Sequence, residues 1–175
     1  AVDDFSSGRM NNIEHLLSRN DFNFIEQDIC NPISIIGEVD LVFNFASLAS
    51  PPRYLKQPIH TLRTGSVGVE NAIELAIAKN ARLVHASTSE VYGDPLQHPQ
   101  SESYWGNVNP IGERSCYDEA KRFAESLCMA YSKTESLNVG IVRIFNTYGP
   151  RLDLYDGRVV SNFVNQALLG VDVSI

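Results

Sequence analysis

Apolar positions along this chain fall into blocks of two kinds. Short, nearly continuous blocks at 39–45, 81–86 and 139–145 read as parallel strands covered on both faces. Longer blocks keep helical spacing. In 116–134 the positions Ala120, Phe123, Ala124, Leu127, Cys128 and Tyr131 recur at that period. The block 58–79 opens on Pro58, well placed in a first turn, and 159–169 is stopped by Gly170. Residues 1–3 read as a strand end, 5–10 as a Ser/Gly-rich turn and 11–18 as a short helix. Residues 22–29 alternate as a strand broken by Asn31-Pro32. The segment 46–57, with Ser50-Pro51-Pro52, is expected to be a loop, as is 146–157. The long loop 92–115 is of the kind that carries function. Residues 171–175 are expected to start a further strand.

Strands alternate with helices throughout, which predicts an α/β fold, a doubly wound parallel sheet. Such a sheet has strand order 3-2-1-4-5-6, with the first strand central. This chain opens on the tail of a strand, and no glycine-rich phosphate loop precedes it. Both ends read as cut. The expectation is therefore the middle of a larger protein. Residues 1–175 would form a dinucleotide-binding domain lacking its first strand and glycine-rich loop, with 146–175 beginning a substrate portion. The strands at 1–3 and 39–45 should then flank a one-strand gap and share no direct backbone bonds, leaving apolar edges exposed.

A length of 175 residues suffices for one domain with a core. A net charge of −7 argues against a nucleic-acid surface but not against a small phosphorylated ligand. No apolar run approaches membrane-spanning length and no signal peptide opens the chain, so a cytoplasmic setting is expected; an anchor outside these residues stays open. Cys30, Cys116 and Cys128 have no metal-ligand spacing and read as reduced thiols. Cys116 adjoins Tyr117 but lacks a paired base, which makes it a buried inert thiol. His15, His60, His85 and His98 form no triad and no metal site in the sequence, and no metal is expected.

Two runs carry the chemistry. Ser87-Thr88-Ser89-Glu90-Val91-Tyr92-Gly93 sets hydroxyls and a carboxylate at the end of an apolar strand, where a parallel sheet presents groups to a ligand. Tyr117-Asp118-Glu119-Ala120-Lys121 puts a phenol and an ammonium on one helix face. An ammonium beside a phenol favours the phenolate, so the Tyr117 pKa is expected to fall, fitting it to take a proton from an alcohol as a hydride leaves the same carbon. Alone, the Tyr-x-x-x-Lys spacing is more readily a surface pair; the upstream run changes that balance. Asp3 ends a strand before the turn Asp4-Phe5-Ser6-Ser7-Gly8-Arg9. A carboxylate there accepts bonds from ribose hydroxyls and favours NAD over NADP. Arg9 is the counter-reading, as a holder of a 2′-phosphate, and an ordinary turn aspartate is an equal alternative. Asp28-Ile29 would bracket an adenine. Gly65-Ser66-Val67-Gly68 lies inside a helical pattern and is rejected as a phosphate loop. Arg143, Arg151 and Arg158 surround the 146–157 loop and suit a diphosphate.

Thr88-Ser89-Glu90-Val91-Tyr92-Gly93, the Tyr117/Lys121 pair and Arg143-Ile144-Phe145-Asn146-Thr147-Tyr148-Gly149-Pro150-Arg151 resemble the extended short-chain dehydrogenase/reductases that act on nucleotide sugars. Asn109-Pro110-Ile111-Gly112, Arg114-Ser115-Cys116-Tyr117-Asp118-Glu119 and Asp156-Gly157-Arg158-Val159-Val160-Ser161-Asn162-Phe163 are similar to their UDP-glucuronate decarboxylase branch, and 47–54 and Trp105-Gly106 fit it. The resemblance implies a Rossmann-like NAD-binding domain. It implies oxidation of UDP-glucuronate at C4, loss of the C6 carboxylate from the 4-keto sugar, protonation at C5 and return of the hydride to give UDP-xylose. Tyr117 would be the base, Lys121 would tune it, Thr88 would bond the same hydroxyl, and Glu90 would position the ring or assist proton movement. NAD contacts would come from Asp3, Asp4, Ser6, Ser7, Gly8, Asp28, Ile29, Phe45, Ser47, Thr64, Tyr117, Lys121, Thr147 and Arg158. Tyr54, Arg63, Asn146 and Asn162 would meet the UDP-sugar. Ser89 completes the catalytic triplet where sugar 4,6-dehydratases typically carry an Asp acid. A serine cannot supply that acid, which favours the decarboxylase over a dehydratase or 4-epimerase. A non-catalytic nucleotide-binding or dimerising fragment is the remaining class, against which intact Thr88, Tyr117 and Lys121 argue. Many members carry Asn near position 65, where this chain has Gly65. The resemblance also implies a homodimer built on helices 58–79 and 116–134. Without its flanking parts the fragment is expected to be inactive.

Overall fold

The computed structural model describes residues 1–153 and 155–173. Its longest strand, β4 (Arg82–Thr88), organises the rest. Two strands flank it in parallel: β3 (Leu41–Asn44), with Leu41 opposite Arg82, and β5 (Val139–Ile144), with Leu83 opposite Val139. A second, two-stranded parallel sheet pairs β1 (Val2–Asp3) with β2 (Ile25–Glu26). Among the described residues no ladder joins β1 to β3. A cleft of about 370 Å³ separates them, lined by Val2, Ile29, Leu41, Phe43 and Leu75 among others. Leu41 and Phe43 are exposed on that edge. The gap and its apolar edge are as the strand order requires.

Helices α2 (Pro58–Arg63) and α3 (Val69–Ala78) run on through a π-helical turn at Thr64–Gly68. They pack beside α4 (Ser115–Thr134), which is twenty residues long. One side of the three-stranded sheet supplies Leu83, with Val42, Val139 and Ile141, to a core closed by Val69, Ile73, Ala76, Ala124 and Cys128. Ile73 and Leu83 are fully buried, each worth about 1.5–3 kcal/mol of transfer free energy. Gly65 lets α4 come close: a Cβ there would lie 2.6 Å from the Ala120 Cβ. The glycines at 65 and 68 are thus packing residues, in keeping with their rejection as a phosphate loop.

Several local expectations differ. The 46–57 loop contains a short helix, α1 (Pro51–Lys56), because two prolines fill its first positions, where a missing N–H costs nothing. The 11–18 helix is two 3₁₀ turns, Met10–Asn12 and Glu14–Leu16. The 22–29 strand is observed only as the two residues Ile25–Glu26, paired with Val2–Asp3. Helix α5 (Val159–Leu169) ends as expected at Gly170, with φ of +65°. Residues 171–173 form no strand, and 174–175 lie outside the described residues. Among the described residues no helix is long and apolar enough to cross a membrane.

Candidate active site

β4 delivers Thr88 at its carboxyl end, and a 3₁₀ turn, Ser89–Tyr92, follows. The Thr88 hydroxyl oxygen accepts the Glu90 N–H at 3.3 Å, which starts the turn. Gly93 ends it at φ +65°, against the Asn107 carbonyl, where a Cβ would clash. Tyr117 and Lys121 sit one turn apart on α4, both buried, on the face toward β4. Lys121 Nζ donates to the Ala86 carbonyl at 2.8 Å, and Tyr117 and Thr88 line the same hollow. The Tyr54 ring stacks on Tyr117 with centroids 5.0 Å apart and planes 8° from parallel, fixing the phenol from behind. Arg114, at the mouth of α4, forms an ion pair with Glu90. These groups, with Phe45, Ser47, Asn146, Thr147 and Arg158, line a hollow of about 240 Å³.

The electrostatics depart from expectation at one point. Burial pushes the Tyr117 pKa up, a Thr88 hydrogen bond opposes this, and the Glu90 charge adds to it. The ammonium that was to lower it is bound to Ala86 and lies 5.9 Å from the ring centroid. In the free chain the phenol therefore keeps its proton. Burial also brings Lys121 down to about 8. Burial raises Asp118, four residues after Arg114, to about 6, with Arg114 opposing and Glu90 reinforcing. Glu125 behaves oppositely: burial works against its ionisation, but bonds from Arg143 and Ser87 hold it below the usual carboxylate range.

A second hollow, of about 170 Å³, meets the first at Phe45 and Ser47. Asp3, Asp4, Ser6, Ser7, Gly8, Asp28, Ile29 and Thr64 line it, all singled out in the sequence. Asp4 Oδ1 accepts Ser6 N–H at 2.9 Å and Ser6 O–H at 2.6 Å. Asp3 Oδ1 accepts Phe5 N–H at 2.7 Å, and a Cβ on Gly8 would crowd that carboxylate at 2.8 Å. The loop is thus wound tightly around two carboxylates. A third cleft brings Arg9, Arg53, Arg151 and Arg158 together. Asp153 accepts from both Arg9, at 2.6 Å, and Arg53, at 2.5 Å. Arg9 here pairs with Asp153 and does not line the second hollow.

Some candidates are not brought in. Arg143 grips Glu125 at 2.9 and 2.7 Å and donates to the Tyr92 hydroxyl at 2.9 Å, anchoring β5 to α4 instead of facing a diphosphate. Arg63 is exposed at the end of α2 and lines neither hollow. Asn162 rides the first turn of α5, a helix with no buried residue, and is outside both linings, as is half-buried Ser89. Residues that the sequence reading left without a role are Arg114, Asp118, Glu125 and His60. For Arg114 the signal was present, since a residue three before Tyr117 shares its side of the helix mouth. His60 stands between Asp4, at 3.6 Å, and Asp28, at 3.8 Å, a meeting that no spacing reveals.

A hydroxyl, a phenol and an ammonium at the carboxyl end of a parallel sheet, beside an acidic hollow, define the class of α/β short-chain dehydrogenase folds. Residues 1–174 match the GDP-mannose 4,6 dehydratase family, and the chain belongs to it. It is 53% identical over 174 residues, 99% of its length, to UDP-glucuronic acid decarboxylase 1 of Xenopus tropicalis. It spans 41% of that relative's length. Among solved structures it is similar to UDP-N-acetylglucosamine 4-epimerase from Methanobrevibacter ruminantium M1 in complex with UDP-N-acetylmuramic acid. There the TM-score is 0.84 at 26% identity, over 98% of this chain and 55% of that one. It is also similar to dTDP-glucose 4,6-dehydratase from Bacillus anthracis in complex with NAD, with a TM-score of 0.77 at 26% identity, over 98% of this chain and 53% of that one.

Proposed function

We propose that the full-length protein is an NAD-dependent UDP-glucuronate decarboxylase that forms UDP-xylose through a 4-keto intermediate. The observation that carries this reading is the Thr88–Tyr117–Lys121 set lining one hollow with the Glu90–Arg114 pair, in a chain 53% identical to a UDP-glucuronic acid decarboxylase. The two joined hollows suit a dinucleotide: carboxylates of Asp4 and Asp28 at one end for ribose hydroxyls, Thr147 and Arg158 at the other. NAD, when bound, supplies the hydride acceptor at C4 and the hydride source that closes the cycle. Tyr117 takes the C4 hydroxyl proton onto its phenolic oxygen and returns it at the end. Thr88 orients that hydroxyl and the phenol together. Lys121, held by Ala86, is the cation that offsets the phenolate. The 4-keto group makes the C6 carboxylate that of a β-keto acid, so CO₂ departs without an acid from the protein. Arg114, paired with Glu90, holds that carboxylate in place to steer the proton that returns to C5. Asn146, Thr147 and Arg158 in this hollow support reading 146–175 as the opening of the nucleotide-sugar portion.

A dehydratase needs an acid to expel water from C6; Ser89 is not one and stands outside the lining. Product analysis on the full-length protein tests the choice. CO₂ and a UDP-pentose are expected from UDP-glucuronate; a 6-deoxy-4-keto sugar or a C4 epimer would replace the proposal. Homodimerisation belongs to the same reading. Leu62 and Phe123 are exposed on α2 and α4, while Val69, Ile73 and Ala124 face the core, so these helices carry a second apolar stripe free for a partner copy. A full-length protein sedimenting as a monomer at micromolar concentration would sink that part.

A further inference from the structure

Loss of the C6 carboxylate leaves a proton balance that Tyr117 does not close. When CO₂ departs, the C5–C6 electron pair stays on the sugar as an enolate, and C5 then gains a hydrogen. Tyr117 takes one proton from the C4 oxygen and gives the same one back. One further proton must therefore enter from water in every turnover, while the sugar fills the hollow.

A second opening reaches the same wall from outside. An open cleft of about 620 Å³ adjoins the first hollow, and Glu90 and Arg114 line both. Asp118 lines the cleft and not the hollow. Its Oδ1 is buried and has no hydrogen-bond partner. A buried oxygen without a donor suits a carboxylic acid far better than a carboxylate. The surrounding charges point the same way. Burial raises Asp118 to about 6; Arg114 opposes this, and Glu90 and Glu119 reinforce it. Tyr54 on α1 and Cys116 on α4 also feel the Asp118 charge, and Asp94 and Glu113 line the cleft with it. Among these groups Arg114 is the one cation, and it is paired with Glu90. A hexuronate carboxylate entering the hollow adds one more negative charge, which again favours the acid form. Asp118 thus holds an exchangeable proton on the solvent side of the carboxylate that faces the sugar.

We propose that this cleft is the proton inlet of the site and that Asp118 relays protons from it, through Glu90, to C5 of the sugar. Asp118 does not touch the substrate; it is a positioning residue for the proton. The Asp118 O–H bond breaks as Glu90 gains a proton through water in the cleft. The Glu90 O–H bond breaks in turn as the enolate pair forms C5–H, and Asp118 is reprotonated from the cleft. One proton enters for each CO₂ that leaves. This role rests on the decarboxylase reading of the site.

The test follows CO₂ release from UDP-glucuronate by the full-length protein, in water and in deuterium oxide, from below the Asp118 value to well above it. In the native protein kcat should fall as pH rises through about 6, because the proton-carrying form of the relay is lost. Asp118→Asn should lower kcat about 10-fold or more, at or below the usual scale for a proton-transfer group. It should leave KM in place, raise the solvent isotope effect and remove that limb of the pH profile. Asp118→Glu, which keeps a carboxyl, should restore the limb. An Asp118→Asn protein, folded by circular dichroism, that keeps the native isotope effect and pH profile would overturn the relay whatever its kcat, since a merely structural role moves neither. Native protein that releases no CO₂ sinks the decarboxylase reading and the relay with it. Native CO₂ release with both readouts unmoved in Asp118→Asn sinks the relay alone.

Discussion

The β4–α4 half of the molecule and the β1–β2 half hold their functional groups by different means. In the first, Thr88, Tyr117 and Lys121 project from long elements whose inner faces share one dry core, and their own side chains are buried. In the second, Asp3, Asp4 and Asp28 sit on turns beside two-residue strands, each oriented by bonds to nearby backbone N–H groups. Packing therefore fixes the groups proposed to move protons. Local hydrogen bonds fix the groups that would meet the adenosine end, with more freedom to adjust.

The contrast can be broken most directly by truncation. In the full-length protein, Ile73→Ala should cost about 2–5 kcal/mol, because the residue is fully buried in the core against α4. Ile25→Ala in β2, already partly exposed, should cost under about 1 kcal/mol in the same urea titration. Equal losses would mean that the two halves share one level of packing. Next in size, Tyr117→Phe should lower turnover about 10²-fold or more while leaving the unfolding midpoint in place, since the ring and its stack on Tyr54 survive. Near-normal turnover would remove the phenol from the chemistry.

A third prediction sharpens the packing side. Gly65→Asn should destabilise by about 1–3 kcal/mol through collision with Ala120. Adding Ala120→Gly should recover most of the loss, measured as a double-mutant cycle. Additive losses would show that the contact is not the cause. The smallest effect concerns pH. The folded pKa of Asp118, about 6, lies above its ordinary 3.8. The folded state therefore binds the proton more tightly, and this contribution is complete below 3.8 and lost as pH rises through about 6. Relative to the native protein, Asp118→Asn should gain stability across that window. The gain should level off near about 1 kcal/mol, after allowing for solvent screening at a half-buried site. A difference that does not vary with pH would assign the effect to packing.

How much of this was legible in the sequence follows the same division. The long elements announced themselves: the blocks at 81–86 and 116–134 are β4 and α4 to within two residues, and Tyr117, Lys121 and Thr88 meet as their spacing and strand position required. The short strand was overestimated, because alternation over 22–29 does not by itself make a ladder. Arg143 was assigned to a ligand on charge alone, and no local pattern shows that Glu125, eighteen residues back, claims it. The lowered Tyr117 pKa failed for a similar reason. Spacing places Lys121 near the phenol, but the bond to Ala86 belongs to the packing of α4 on β4.

The near contact of position 65 with Ala120 bears on how such a chain can change over generations. Ala120 is one of the three unspecified places between Tyr117 and Lys121, and a side chain at 65 would meet its methyl group head-on. The two positions are therefore epistatic. An asparagine at 65, as in many members of the resembling family, is reachable here by way of a glycine at 120 first; the opposite order passes through an overpacked intermediate. Position 120 is thus the gate through which position 65 must evolve, and a library that varies position 65 alone would sample mostly destabilised chains.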